Sequence, residues 1–140
     1  MKFTEAEIAY LASQRLGRLA TAQSSGVLQN SPVGFRYNEE LDTIDISGHG
    51  MVTSQKFRNV AANGSVAFVV DDIASVQPWR IRCVEIRGTA EALRPPRDAD
   101  EANPRGVDGA IIRIHPTRII SFGLGDSDDP FRDGANKRNV

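Results

Sequence analysis

Apolar and polar residues alternate along most of this chain, and only two stretches repeat at helical spacing. Between Leu41 and Ser47, apolar Leu41, Ile44 and Ile46 interleave with polar Asp42, Asp45 and Ser47, which predicts a half-buried strand. Leu16 to Ala22 predicts a strand before it. The turn residues Ser24, Ser25 and Gly26 lead to a second strand from Leu28 to Tyr37, where Pro32 asks for an edge position or a bulge. Ser65 to Val70 is a β-branched run that reads as buried on both faces. Ile81 to Leu93 reads as a long strand broken at Gly88, and Ala110 to His115 and Arg118 to Phe122 supply the last strands. The first helical stretch opens on a capping box, Thr4 with Glu7, and carries Ile8, Leu11 and Ala12 on one face. In the second, from about Ser54 to Ala62, Phe57, Val60 and Ala61 share a face and Asn63-Gly64 closes the helix.

Many short strands, few helices and no βαβ alternation predict a mainly β fold, a small antiparallel barrel with short helices at its rim. Side chains fill so small a barrel. A large ligand would therefore lie in an outer groove that a second copy of the chain could complete, so a homodimer is expected. At 140 residues the chain has room for one core, assigned to residues 1–125. Arg94 to Asp108 is proline-rich and charged, which suits a loop or short helix, and residues 126–140 read as a mobile tail. A net charge of -1 gives no reason to expect nucleic acid or an acidic membrane surface as partner. Cys83 is the single cysteine, which excludes an internal disulfide and a multi-cysteine metal site. With no segment resembling a signal peptide or a membrane span, a cytoplasmic location is expected.

The chemistry concentrates between Ser47 and Asn59. Here a strand ends in glycines, Gly48 and Gly50 around His49, and passes through Thr53, Ser54, Gln55 and Lys56 into a helix. A helix start exposes unpaired amides and the positive end of a dipole, so this corner suits a phosphate, and Lys56 adds a mobile charge. Ordinary readings stand beside these. Thr53 and Ser54 also serve as N-caps, Lys56 as a solvated helix lysine and His49 as a turn residue.

Four blocks then occur in order: Gly17-Arg18-Leu19-Ala20-Thr21, Pro32-Val33-Gly34-Phe35-Arg36-Tyr37, Lys56-Phe57-Arg58-Asn59 and Val84-Glu85-Ile86-Arg87-Gly88-Thr89-Ala90-Glu91. Together they resemble the pyridoxamine 5'-phosphate oxidase-like split barrels, over most of Phe3 to Leu124. Ile111 to Pro116, Asp71 to Val76 and Pro78-Trp79-Arg80 are similar to the deazaflavin-dependent branch of that superfamily. The resemblance implies a six-stranded Greek-key split barrel and a homodimer, with coenzyme F420 or FMN across the interface. It places the cofactor phosphate at Thr53, Ser54 and Lys56. The family motif usually has arginine where this chain has Gln55, which leaves Arg36 and Arg58 as candidates to compensate.

Such a reductase needs no catalytic triad, because the cofactor carries the hydride while the protein orients and shields it. Trp79 could stack on a ring system, and Arg82 or Arg80 could hold a carboxylate or an enolate. Surface charge and interface packing are the plainer roles for these residues. Three functions follow: an F420-dependent reductase acting on a small unsaturated or quinone-like compound, an FMN-dependent oxidoreductase on the same barrel, and a non-catalytic flavin-binding module.

Overall fold

The computed structural model describes residues 1–95, 108–125 and 134–140. Helix α1 (Glu5–Ser13) opens on the expected capping box: the Thr4 hydroxyl accepts from the Glu7 amide and the Glu7 carboxylate accepts from the Thr4 amide. The strands are β1 (Leu16–Ala22), β2 (Leu28–Gly34), β3 (Arg36–Asn38), β4 (Thr43–Ile46), β5 (Ser65–Ser75), β6 (Arg80–Leu93), β7 (Ile111–Phe122) and β8 (Asn136–Asn139). A 3₁₀ turn (Met51–Thr53) and helix α2 (Gln55–Ala62) lie between β4 and β5.

These strands form one antiparallel eight-stranded sheet in the order β2-β1-β5-β6-β7-β4-β3, with β8 added to β7. The two ends of that path, β2 and β3, are separated in the chain by Phe35 alone, so the sheet must curl round to bring its ends together. That is the split-barrel arrangement. The expected second strand is divided at Phe35, and β2 occupies the edge that Pro32 requires, since its missing amide proton leaves no gap there.

The core fills the inside of this curl. Ile44, Ile46, Val70, Val84, Ile86, Ile112, Ile114 and Ile119 are buried, as the alternation of their strands dictates, and Phe57 and Val60 of α2 close one end. The break expected at Gly88 and the gap expected between the last two strands are one feature. β6 and β7 run continuously, and the register shifts so that Arg87 faces Arg118 while Gly88 faces Pro116, which leaves Thr117 as the extra residue of a bulge. A side chain at Gly88 would meet the His115 carbonyl oxygen at 2.1 Å, so only glycine fits opposite the bulge.

Two expectations need correction. Helix α1 buries Glu7, Tyr10 and Leu11, whereas Ala12 is exposed. The segment read as a tail ends in β8, which pairs with β7 and sends Arg138 back to the Glu7 carboxylate at 2.6 and 3.0 Å. Ser121 donates to the same carboxylate at 2.6 Å. An anion buried at that face is tolerated because these donors replace its water. The first part of the expected tail, 126–133, and most of the expected loop, 96–107, lie outside the described residues.

Candidate functional site

The strand-to-helix corner has the form the sequence predicts. Gly50 adopts a left-handed conformation (φ 54°), which turns the chain from the end of β4 into the 3₁₀ turn. Ser54 is the N-cap of α2: its hydroxyl accepts from the Phe57 amide at 3.2 Å and donates to the Met51 carbonyl at 2.7 Å. The Thr53 hydroxyl donates to the Gly50 carbonyl at 3.1 Å. Both hydroxyls therefore build the corner, while helix geometry leaves the Gln55 and Lys56 amides pointing outward. Lys56 is half-buried and makes no ion pair among the described residues.

Gln55 and Arg58 are tied to each other. Arg58 folds back along the helix and donates to the Thr53 carbonyl at 3.0 Å and to the Gln55 side-chain oxygen at 2.9 Å. The Gln55 amide nitrogen donates to Asn59 at 2.7 Å, and buried Asn59 donates to Thr21 of β1 at 3.0 Å. A chain of hydrogen bonds from the sheet through two amides thus sets the position of one guanidinium at the head of α2. Asp108, which lies against the same turn, has one oxygen on the Val52 amide and the other on the Ala110 amide. The corner is rich in donors and its neighbouring carboxylate is engaged.

The remaining candidates lie elsewhere. Arg36 on β3 is exposed and stands 3.6 Å from Asp45, and both line a groove of about 630 Å³ with Ser47, Gly34, Phe35, Ser13, Gln14 and Arg15. Asp45 is 5% exposed and accepts from Asn38, Thr43 and both arms of Arg113. Burial pushes its carboxyl up, but the hydrogen bonds from Arg113 and Asn38 outweigh burial and leave it below the ordinary carboxylate value. His49 and Ser47 are exposed on the loop after β4. Trp79 is 52% exposed in the turn between β5 and β6. Arg82 makes a two-pronged ion pair with Asp72 at 2.5 and 2.9 Å and lies over the Tyr10 ring, so its charge is already met within the chain. Cys83 is half-buried in β6, and burial raises its thiol to about 11, which keeps it unreactive.

Residues 3–122 match the family model of pyridoxamine 5'-phosphate oxidase. The chain belongs to the pyridoxamine 5'-phosphate oxidase family. Among its relatives is a 5a,11a-dehydrotetracycline/5a,11a-dehydrooxytetracycline reductase of Streptomyces rimosus, 49% identical over 124 residues, or 89% of this chain and 85% of that one. Solved structures that share the fold include an F420 reductase (TM-score 0.58, 24% identity, 75% of this chain and 88% of that one). Another is an FAD-binding protein of Mycobacterium smegmatis (TM-score 0.60, 24% identity, 85% and 95%).

As a pyridoxamine 5'-phosphate oxidase family member, the chain has a corner whose composition fits the phosphate of a flavin-type cofactor. Lys56, Arg58 and two helix-start amides supply donors at this corner. Sequence reasoning singled out this loop but not Asn59, Thr21 and Asp108, which hold it in place. Asn59 carries a signal in hindsight: it is a polar residue on the buried face of α2, where an apolar side chain would be expected.

Proposed function

We propose that the chain is a reductase that uses the deazaflavin coenzyme F420 to deliver a hydride to a small unsaturated or quinone-like acceptor. The cofactor lies between two copies of the chain. When bound, its ring supplies the hydride and the protein has only to orient and shield it. Lys56 and the amides of Gln55 and Lys56 hold the phosphate end. Arg58, fixed by Gln55, brings the second positive charge that arginine at position 55 would otherwise bring. The observation that carries this reading is the 49% identity to a dehydrotetracycline reductase across nearly the whole chain, which also makes an acceptor of that class the first to try.

The test is a pair of fluorescence titrations, with F420 and with FMN, on the wild type and on Lys56→Ala. F420 is expected to bind more tightly than FMN, and the variant to lose at least about tenfold, the scale of one charge-assisted contact. Equal or preferential FMN binding overturns the choice of F420, and an unaffected variant overturns the corner. Bound reduced cofactor that no unsaturated acceptor consumes would reduce the protein to a binding module.

A further inference from the structure

The groove beside α1 holds more positive charge than its carboxylate can balance. Arg15 and Arg36 both line it, and among the described residues Asp45 is the single acidic one of its lining. That carboxylate is already filled: Arg113 approaches it at 2.9 and 3.0 Å, with Asn38 and Thr43 taking further lone pairs, and Arg36 stands farther off at 3.6 Å. Arg15 makes no ion pair among the described residues. Arg15 thus faces the cavity without a carboxylate, and Arg36 shares with Arg113 the one carboxylate within its reach.

The rest of the lining mixes polar Ser13, Gln14 and Ser47 with an apolar part. Phe35 stands edge-on against Phe68 of the core, at 5.3 Å between ring centroids, so its ring is held in place. A side chain built on Gly34 would meet nothing within 4 Å, which leaves open space above that residue. Ala12 and Ile111 complete the apolar part. A cavity of this size accepts a multi-ring small molecule. Ser47, on its rim, begins the loop that runs to the corner at α2, so the groove and the cofactor corner share one segment of chain.

We propose that this groove is the acceptor site of the reductase, and that its ligands are planar conjugated acids or enolisable ketones whose oxygen anion pairs with Arg36 and Arg15. The proposal rests on the reductase reading for the word acceptor, but not for the binding of a planar anion. Hydride addition to the carbon β to a conjugated ketone moves the π pair onto the carbonyl oxygen, and a proton from water at the α-carbon completes the two-electron reduction, with reduced deazaflavin as the species oxidised. Guanidiniums placed at the oxygen stabilise the charge as it develops.

The experiment uses a fluorescent planar acid, hydroxynaphthoate, with neutral naphthol as its control, titrated into the full chain. Hydroxynaphthoate is expected to bind at least about tenfold more tightly than naphthol. Arg36→Gln should weaken hydroxynaphthoate about tenfold, Arg15→Gln with Arg36→Gln should weaken it further, and neither should move naphthol. Arg36 is exposed, so these variants keep the fold, which thermal melting checks. F420 affinity should be unchanged in Arg36→Gln, whereas Lys56→Ala should lose F420 and keep hydroxynaphthoate. The proposal falls if the wild type binds no hydroxynaphthoate, or if the double variant binds it as the wild type does. It also falls if Arg36→Gln loses F420 as strongly as hydroxynaphthoate, because the groove then belongs to the cofactor. If F420 fails to bind the wild type while hydroxynaphthoate still depends on Arg36, the reductase reading falls and the groove stands as a site for planar anions.

Discussion

Arg113 and Arg138 of the sheet and Arg58 at the head of α2 are used in opposite ways. Arg113 and Arg138 each meet a buried carboxylate, Asp45 or Glu7, through two nitrogen–oxygen contacts, and neighbouring hydroxyls or amides complete both sites. Among the described residues Arg58 by contrast bonds only to neutral oxygens, and Lys56 to none. A charge that has a carboxylate partner inside the protein contributes to the fold. One that is held in place but left uncompensated is available to a ligand.

The largest effect should come from removing a partner on the structural side. Glu7→Ala leaves Arg138 without its counter-ion and Ser121 without its acceptor, and breaking such a pair costs about 3 kcal/mol or more. For a chain of this size that lowers Tm by roughly 10 °C. The F420 titration should stay within about threefold of wild type. The same pair sets the acid limit of stability. Burial pushes the Glu7 carboxyl up, but hydrogen bonds from Arg138, Ser121 and the Thr4 amide outweigh it and leave the carboxyl below the ordinary glutamate value. The unfolded chain therefore takes up protons first as the pH drops. The stabilisation is complete above the unfolded value, near about 4, and is lost as pH falls through the lower folded value. Denaturant melts between neutral and acid pH should show this slope in the wild type and a shallower one in Glu7→Gln. Equal slopes would mean that Glu7 is not held as described.

A smaller effect is expected at the corner of α2. Arg58→Ala should weaken F420 about tenfold and make the remaining affinity less sensitive to salt, since one cation is gone. Gln55→Arg introduced into Arg58→Ala should recover most of that loss, because it returns a guanidinium to the same turn. Full affinity in Arg58→Ala would break the comparison, by showing that a fixed and uncompensated charge need not serve a ligand.

How far the sequence reaches follows from the range of each interaction. Alternation located β1 and the buried parts of β4 to β7, and the capping box and the Ser54 cap placed both helix starts, because these signals act over a few residues. Nothing local announces β8. Arg138 meets Glu7 across 131 residues of sequence, and a polar, charged segment such as Asn136–Asn139 reads as coil until the edge of β7 is there to receive it. The bulge at Thr117 looked like an interruption because its proline suggests an end to pairing, whereas Gly88 on the neighbouring strand provides the space that keeps the pairing going. At the candidate site, the passage from β4 through the Ser54 cap into α2 was legible in the sequence. The separate placing of Arg36 and Arg58 was not, because it depends on where long side chains reach: Arg58 back over its own helix, Arg36 across to Asp45 on the next strand.

The smallest effect should be at Trp79, and its form is more informative than its size. Trp79 is 52% exposed, with Ile73 and Val76 also exposed nearby, so within one subunit the indole covers little. Trp79→Ala should change unfolding in dilute solution by less than about 0.5 kcal/mol. An exposed apolar tip of this kind gains a role only when another surface covers it. In the proposed homodimer, any influence of Trp79 on F420 would therefore pass through the second copy and grow with protein concentration. Titrations at low and high protein concentration separate the cases. A loss of affinity in Trp79→Ala that appears only in the concentrated sample assigns the tip to the partner's cofactor site. A loss of equal size at both concentrations would mean that the ring reaches the cofactor within its own subunit, against the position of the turn described above.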